Sequence, residues 1–380
     1  MNDADLYWMG QAFAMAQTAL YSTAPNPRVG CIIVRDGQVL GSGATQVAGG
    51  DHAEIAALKN AQQYGRDVSG STMYVSLEPC SHHGRTPPCT DAIIAAKPER
   101  VVVAMLDPNP KVAGKGLLAL KKAGIKVTFG IGVEKALAIN PGFVSRMARN
   151  RPWVWLKIAS SLDGYIALPD GESKWITGTA ARGDGQHWRA RSCVVLTGLG
   201  TVAADNPLLN VRDIQTPRQP VRAIVDTYLN TPESSRIFDG QPVWLFTCRE
   251  DTEKAKRLAD QNVEVIVLPK KGNRVDLNAV LEWMAKRDVN EVHVEAGARL
   301  SGAFLEAECV DELLLYMAPK MLGQGLPMAS MNPVTSLAQA QHFEYTDVSQ
   351  IADDLRLTLR HVSHWSKLIK TVSSAPSGFN

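Results

Sequence analysis

His52 and Glu54 stand two residues apart, and Cys80, preceded by Pro79, is followed by Cys89. One imidazole and two thiolates form a borderline-soft donor set suited to zinc, and three protein ligands leave a fourth tetrahedral position for water. Zinc draws the pKa of such a water toward about 7, so what remains is to move protons, and Glu54 is the candidate shuttle. Residues two apart on a helix do not share a face, which makes Glu54 a poor second ligand but, in a first turn, a near neighbour of the water. That division of labour is the one a hydrolytic deaminase uses. Zinc nucleobase deaminases carry H-x-E and then P-C-x-x-C, whereas eight residues, Ser81 to Pro88, separate the two cysteines here. Cys89 returns to the metal if it opens the helix expected from Thr90, and a helix N-terminus favours thiolate.

Blander readings stand beside this one. Asp51 with Glu54 matches a capping box, either cysteine alone is a small buried hydrophobe, and His82 or His83 offers a fourth ligand that would make the zinc structural. Cys31, Cys193, Cys248 and Cys309 have no partner spacing and are read as core thiols.

A second candidate lies toward the C-terminus, where Val294-Glu295-Ala296-Gly297 ends a strand and Ala298 to Ala303 lead into a helix. Backbone amides at such a helix start hold phosphate, and Gly297 and Gly302 permit close approach. A close-packed strand-helix turn explains the same residues equally well. No G-x-G-x-x-G follows the first strand of this half, so the dinucleotide fingerprint is absent. Lys157 sits in the otherwise apolar run Trp153 to Ile158; it is costly to bury unpaired and is therefore a site candidate.

The elements that must position these residues are legible in outline. A helix is expected over residues 3–20, strands over Val29 to Arg35 and Gln38 to Ser42 around the Asp36-Gly37 turn, and a helix over Ala53 to Ala61 capped by Asp51. Strands over Met73 to Leu77, Val101 to Met105 and Lys126 to Phe129, with helices over Thr90 to Ala96 and Leu117 to Lys122, complete one α/β domain. The pattern breaks between Asn140 and Pro152, where Pro141-Gly142 precedes Arg146, Arg149 and Arg151 and predicts a solvated linker. Beyond it, seven strand candidates, at Trp153 to Ile158, Cys193 to Thr197, Arg222 to Asp226, Val243 to Thr247, Val263 to Leu268, Glu291 to Glu295 and Leu313 to Met317, predict a second open α/β sheet. The expected division is 1–145, 146–365, and a disordered 366–380 ending in the polar run from Ser373.

Bulk properties exclude several classes. At 380 residues the chain exceeds what one hydrophobic core supports. Lys plus Arg total 40 against 38 acidic residues, which offers no general attraction for nucleic acid or anionic lipid. No apolar run reaches the roughly 18 residues of a membrane span, and the start is acidic where a secretory signal is basic, so a cytoplasmic protein is expected. Six cysteines are too few for a disulfide scaffold.

The strings TAPNPRVGCIIV, DHAEIAAL, SLEPCSHHGRTPPC, DPNPKVAGKG, KIASSLDG, SKWITG, TVAADNPLLNVR and VEAGARLSGAF, in this order over residues 6–360, closely resemble the bifunctional riboflavin-biosynthesis deaminase/reductase family. The long cysteine loop is what this branch is expected to have. The resemblance implies a cytidine-deaminase-like α/β/α domain followed by a dihydrofolate-reductase-like α/β domain. It implies zinc on His52, Cys80 and Cys89, with Glu54 as shuttle, and Asn26, Arg85, Asp107 and Asn109 facing the first substrate. It further implies NADPH beside Ser160, Trp175, Thr201, Asp205, Thr227 and the turn Gly297, Ala298, Arg299, Leu300, Ser301, Gly302 and Ala303. Ser173, Arg189, Leu209, Arg212 and Glu295, with Lys157, would line the second substrate pocket, and Arg189 and Arg212 suit a 5-phosphate. The implied partners are phosphoribosylaminopyrimidines, with no nucleic acid and no membrane, and a homo-oligomer, dimer or tetramer, is expected. The implied reactions are hydrolysis of the 2-amino group of 2,5-diamino-6-(5-phosphoribosylamino)pyrimidin-4-one, then NADPH-dependent reduction of ribosyl to ribityl. The rival is a single-activity deaminase acting on a nucleoside or RNA with a C-terminal binding module; the charge balance weighs against RNA.

Overall fold

The structure, a computed structural model, describes residues 3–81 and 87–374. Contacts divide the chain into two compact units, the first made of residues 1–149 and 366–380, the second of 150–365.

In the first unit, α1 (Asp3–Thr18) precedes β1 (Gly30–Arg35) and β2 (Gln38–Ala44), α2 (Ala53–Gln63), β3 (Thr72–Val75), α3 (Cys89–Ala96), β4 (Arg100–Val103), α4 (Lys115–Lys122), β5 (Lys126–Phe129), α5 (Val133–Ile139) and α6 (Pro141–Arg149). The strands form a sheet of order β2-β1-β3-β4-β5, antiparallel at β1 and parallel from β3 to β5. Asp36 and Gly37 turn the hairpin with φ of 53° and 73°, the left-handed conformation that a two-residue hairpin requires. Ala53, Ala57 and Ala61 are the buried face of α2. A β-carbon on Gly43 would collide with the backbone of Ala53 and Ala57, so small residues on both sides let α2 lie close against β2. This close approach places the start of α2, with His52 and Glu54, at the sheet.

The expected linker is a helix. Pro141 begins α6, and residues 141 to 145 are buried; proline is at home in a first turn, where its missing N–H has no partner to lose. The division of the chain accordingly falls after Arg149, not after residue 145. The expected tail is also partly a helix, because α12 (Val362–Ser373) runs through residues 366–373 and buries Leu368 and Val372. Residues 375–380 lie outside the described ones.

The second unit runs β6 (Trp153–Ser161), β7 (Tyr165–Ala167), α7 (Thr179–Arg191), β8 (Val194–Gly198), α8 (Leu199–Asp205), β9 (Val221–Val225), β10 (Val243–Thr247), α9 (Thr252–Ala259) and β11 (Val263–Val267). It continues through β12 (Lys270–Lys271), β13 (Arg274–Val275), α10 (Leu277–Ala285), β14 (Glu291–Glu295), α11 (Ala298–Glu306), β15 (Glu312–Ala318), β16 (Leu326–Pro327), β17 (Phe343–Ile351) and β18 (Asp354–His361). Nine strands form one sheet of order β11-β10-β9-β8-β14-β6-β15-β18-β17. It is parallel from β11 to β15 and antiparallel at β18 and β17. Val194, Val292 and Val294 face one core with α10 and α11, while Val195, Ile224 and Leu245 face another with Leu258 of α9. Alternate residues serve opposite faces, as they must in a sheet covered on both sides. Four parallel neighbours, β9, β8, β14 and β6, therefore end together at one edge, where open α/β sheets bind ligands.

Candidate active sites

In the first unit, His52 is the N-cap residue of α2 with extended backbone, and its side chain caps nothing. Asp51 caps nothing either, contrary to expectation, because its carboxylate takes both hydrogen bonds from Lys59 Nζ, at 2.7 and 2.9 Å. With no capping box formed, His52 and Glu54 are released for other work. Cys89 is the first residue of α3, and its amide donates to Cys80 Sγ at 3.3 Å. His52 Nδ1 lies 3.6 Å from Cys80 Sγ and 3.3 Å from Cys89 Sγ, and all three ligand atoms fall within 4.8 Å of one another. Bonds of about 2.1 Å to nitrogen and 2.3 Å to sulfur at the tetrahedral angle would put N and S about 3.6 Å apart, so the three donors fit zinc. The Cys80 thiol is drawn down to about 4 by hydrogen bonds from the Cys89 thiol, His52 and the Cys89 amide, against its burial.

Glu54 is buried beside this triad, 4% exposed. Burial pushes its carboxyl up to about 7, the Cys80 sulfur adding to the rise, while its backbone amide and His52 oppose it. A carboxyl poised near neutrality in a closed site is what a proton carrier requires.

The wall behind Cys80 is organised by Glu78, which the sequence reading did not single out. Its Oε2 accepts from the amides of Asp107 at 3.2 Å and Gly114 at 2.9 Å, and its Oε1 from those of Gly116 at 2.9 Å and Leu117 at 3.4 Å. One buried carboxylate thus ties the Cys80 loop to the segment carrying Asp107 and Asn109. Asp107 accepts from the Asn109 amide at 2.8 Å, and burial pushes it up to about 7, with Glu78 and Cys80 adding to the rise. The half-buried Asn26 donates its amide to Thr23; no contact recorded among the described residues joins it to the triad. Arg85, His82 and His83 lie outside the described residues. Of the other cysteines, Cys31 and Cys309 are buried as expected, but Cys193 and Cys248 are only half-buried.

In the second unit, a cavity of about 1640 Å³ opens at the shared strand edge. It exceeds the range typical of a single small ligand and has room for a cofactor with a substrate. Lys157, Ser173, Trp175, Arg189, Thr201, Asp205, Leu209, Arg212, Thr227, Glu295 and residues 297–300 and 303 all line it. Ser160, Ser301 and Gly302 do not. Ser160 is fully buried with its hydroxyl unpartnered, Ser301 donates to Ala296 O, and a β-carbon on Gly302 would strike the backbone of Ser330. Gly302 therefore lets α11 pack closely against the backbone of Ser330.

Register pairs Lys157 with Glu295 on adjacent parallel strands. Burial lowers the Lys157 pKa, opposed by Glu295 and assisted by Arg189. Arg189 donates Nε to Glu295 Oε1 at 2.5 Å, Nη2 to Oε2 at 2.9 Å and Nη1 to Asn210 O at 2.8 Å. Three of its five donors are taken and its charge is balanced, so Arg212, whose side chain is 53% exposed and meets Asp213 only at 3.8 Å, is the freer partner for a phosphate. A further residue, His293, has its Nε2 3.3 Å from Glu295 Oε1 on the same strand; a fully buried ring gave no signal in the sequence. Asp205 pairs with Lys174 at 3.0 Å, and Arg182 lies over Trp175, 4.3 Å from its ring centre.

The residues also fit a dinucleotide. Gly297 precedes α11 with no side chain capping the helix, and a β-carbon there would meet only Thr201 Oγ1, at 4.0 Å. Uncapped first-turn amides lining a cavity are the donors by which a helix start can hold a diphosphate.

Two family models match the chain, the cytidine and deoxycytidylate deaminase zinc-binding region over residues 2–105 and the RibD C-terminal domain over 152–357. The riboflavin biosynthesis protein RibD of Escherichia coli K12 is 42% identical over 370 residues, spanning 93% of this chain and 99% of the relative. RibD of Acinetobacter baumannii superposes with a TM-score of 0.85 at 43% identity, covering 94% of this chain and 98% of that one. A diaminohydroxyphosphoribosylaminopyrimidine deaminase/5-amino-6-(5-phosphoribosylamino)uracil reductase of Thermotoga maritima gives 0.84 at 33%, with the same coverage.

Proposed function

Because the chain belongs to the RibD family, the bifunctional deaminase/reductases of riboflavin biosynthesis, we propose that the residues gathered at its two sites carry those two reactions in turn. The protein is a zinc-dependent deaminase and an NADPH-dependent reductase. Its substrates, on this reading, are those in the name of the Thermotoga maritima relative. The observation that carries the first half is the convergence of His52, Cys80 and Cys89 beside a buried Glu54.

Zinc on this triad supplies Lewis acidity toward water. Glu54 takes a proton from the attacking water and delivers it to the departing amine, the 2-amino group leaving as ammonia. Asp107 and Asn109, held by Glu78, form the wall that orients the pyrimidine.

When bound in the second unit, NADPH would supply a hydride to the anomeric carbon of the ribosyl group, whose bond to the ring oxygen breaks as that oxygen takes a proton from solvent. The uncapped start of α11 holds its diphosphate, and Arg212 takes the substrate 5-phosphate. Glu295, clamped by Arg189, and Lys157 beside it orient the ribosyl hydroxyls. We place both reactions in the cytoplasm, where the ligand thiols stay reduced, on small molecules and not on nucleic acid, in a homo-oligomer, dimer or tetramer. Among the described residues no helix is long and apolar enough to cross a membrane.

Mass spectrometry of products from the diamino substrate tests the reading. Loss of one amino group without NADPH, followed by gain of two hydrogens with it, is expected; reduction preceding deamination would overturn the order.

A further inference from the structure

The cavity of the second unit has two distinct ends. Lys157, Arg189 and Glu295 sit at the β6 and β14 end, and the start of α11 lies at the tip of β14. Two strands further along the sheet, at the tip of β9, the wall is made by Thr227, Tyr228 and the hairpin β12-β13. That hairpin leaves β11 at the sheet's edge and folds back over the strand ends. Its Val275 amide donates to Thr227 Oγ1 at 3.4 Å, and Tyr228 Oη donates to Asn273 O at 3.4 Å. Lys271 and Arg274 face one another in the hairpin register. Both line the cavity and are exposed, and neither has an ion pair or a side-chain hydrogen bond among the described residues. Asp276 directs its Oδ1 to the Asn278 amide at 3.0 Å, and Asp226 is taken by Thr231. Arg236 and Arg299 are also unpaired on the cavity wall among the described residues, but Arg299 belongs to the first turn of α11, and only Lys271 and Arg274 stand opposite one another, on the hairpin joined to Thr227 and Tyr228.

We propose that Lys271 and Arg274 bind the 2′-phosphate of the adenosine end of NADPH and so set its preference over NADH. The proposal rests on the reductase reading. With the reacting groups at the β6 and β14 end and the diphosphate at α11, the adenosine end extends toward β9. The two nucleotides differ there only by one phosphate, which carries nearly two negative charges at neutral pH. Paired cations without carboxylate competition select for that group. Tyr228, tethered to the hairpin and 49% exposed, has Lys270 Nζ 5.6 Å from its ring centre, which brings a further positive charge to this end of the cavity.

Titration of the full-length protein with NADPH and with NADH, followed by calorimetry, is the test. The unaltered protein should bind NADPH much the more tightly. Lys271→Gln with Arg274→Gln should weaken NADPH by about 10²-fold and leave NADH within about threefold, while Lys271→Arg with Arg274→Lys should retain the preference. Equal weakening of both nucleotides would mean that the hairpin only frames the cavity, and undiminished NADPH preference would place the phosphate elsewhere; either overturns the proposal. Failure of the unaltered protein to bind either nucleotide would overturn the cofactor reading itself, and the proposal with it.

Discussion

Arg189 and Glu295 meet through two parallel hydrogen bonds, Nε to Oε1 and Nη2 to Oε2, across the helix-sheet boundary between α7 and β14. Burial alone would raise the Glu295 carboxyl, but the Arg189 guanidinium and then His293 hold it well below the usual carboxylate range. Glu295→Gln removes one partner of a buried pair and leaves Arg189 and Lys157 uncompensated. The reductase unit should lose about 3–5 kcal/mol of stability, read as a lower denaturation midpoint, with reduction impaired and zinc content unchanged. An unshifted midpoint would refute the pairing.

Cys80→Ser or Cys89→Ser replaces a soft thiolate by a poor hydroxyl ligand. Zinc measured by atomic absorption should fall well below one equivalent, and deamination should be lost, while pre-deaminated substrate is still reduced. Full zinc with full deamination in either variant would show the ligand assignment to be wrong.

Glu54→Gln keeps the size and the polar contacts of the side chain but cannot carry a proton. Zinc and fold should persist while deamination drops by roughly 10² or more. Near-normal turnover would remove Glu54 from the proton path.

Glu312 lies buried on β15, its Oε1 accepting from Arg360 Nε at 2.6 Å and its Oε2 unpartnered. Burial outweighs the ion pair and pushes its carboxyl up to about 7 from an ordinary 4.5. The folded state thus keeps a proton that the unfolded chain has already released, so this contribution to stability is full below about pH 4.5 and is lost as pH rises through about 7, on the order of 3 kcal/mol in all. Glu312→Gln should flatten that decline, measured by urea denaturation at about pH 5 and about pH 8. A slope equal to that of the unaltered protein would count against it.

Ending the chain after Trp365 removes Leu368 and Val372, both fully buried, and the acceptor for the Leu106 amide, Val372 O at 3.1 Å. Each buried aliphatic is worth about 1.5–3 kcal/mol, so the deaminase unit should melt several degrees earlier. Unchanged melting would show that the helix end contributes nothing to that unit.

Much of the first site was legible in the chain because metal chemistry demands particular donor atoms near helix starts, and His52, Cys80 and Cys89 announce themselves by type and spacing. Strands such as Val243–Thr247 and Glu291–Glu295 were legible because buried parallel strands require continuous apolar or β-branched runs. The β17-β18 hairpin was not, since most of β17 is exposed and its residues alternate too weakly to register. Pro141-Gly142 was misjudged for a different reason: proline and glycine punctuate loops but also suit the first turn of a helix, and only the packing of residues 141–145 chooses between the two.

By itself, the sequence determined the donor set for zinc, the α/β class of both halves and the absence of the common dinucleotide fingerprint, because each depends on residue type and local spacing. Only the tertiary structure decided that Asp51 turns to Lys59 and leaves the start of α2 uncapped, that Glu78 ties Asp107 to the Cys80 loop, and that Arg189 is balanced by Glu295, 106 residues away. Whether a charge is free to meet a ligand is set by which opposite charge the fold brings to it, and long-range pairing of that kind leaves no local trace in a sequence.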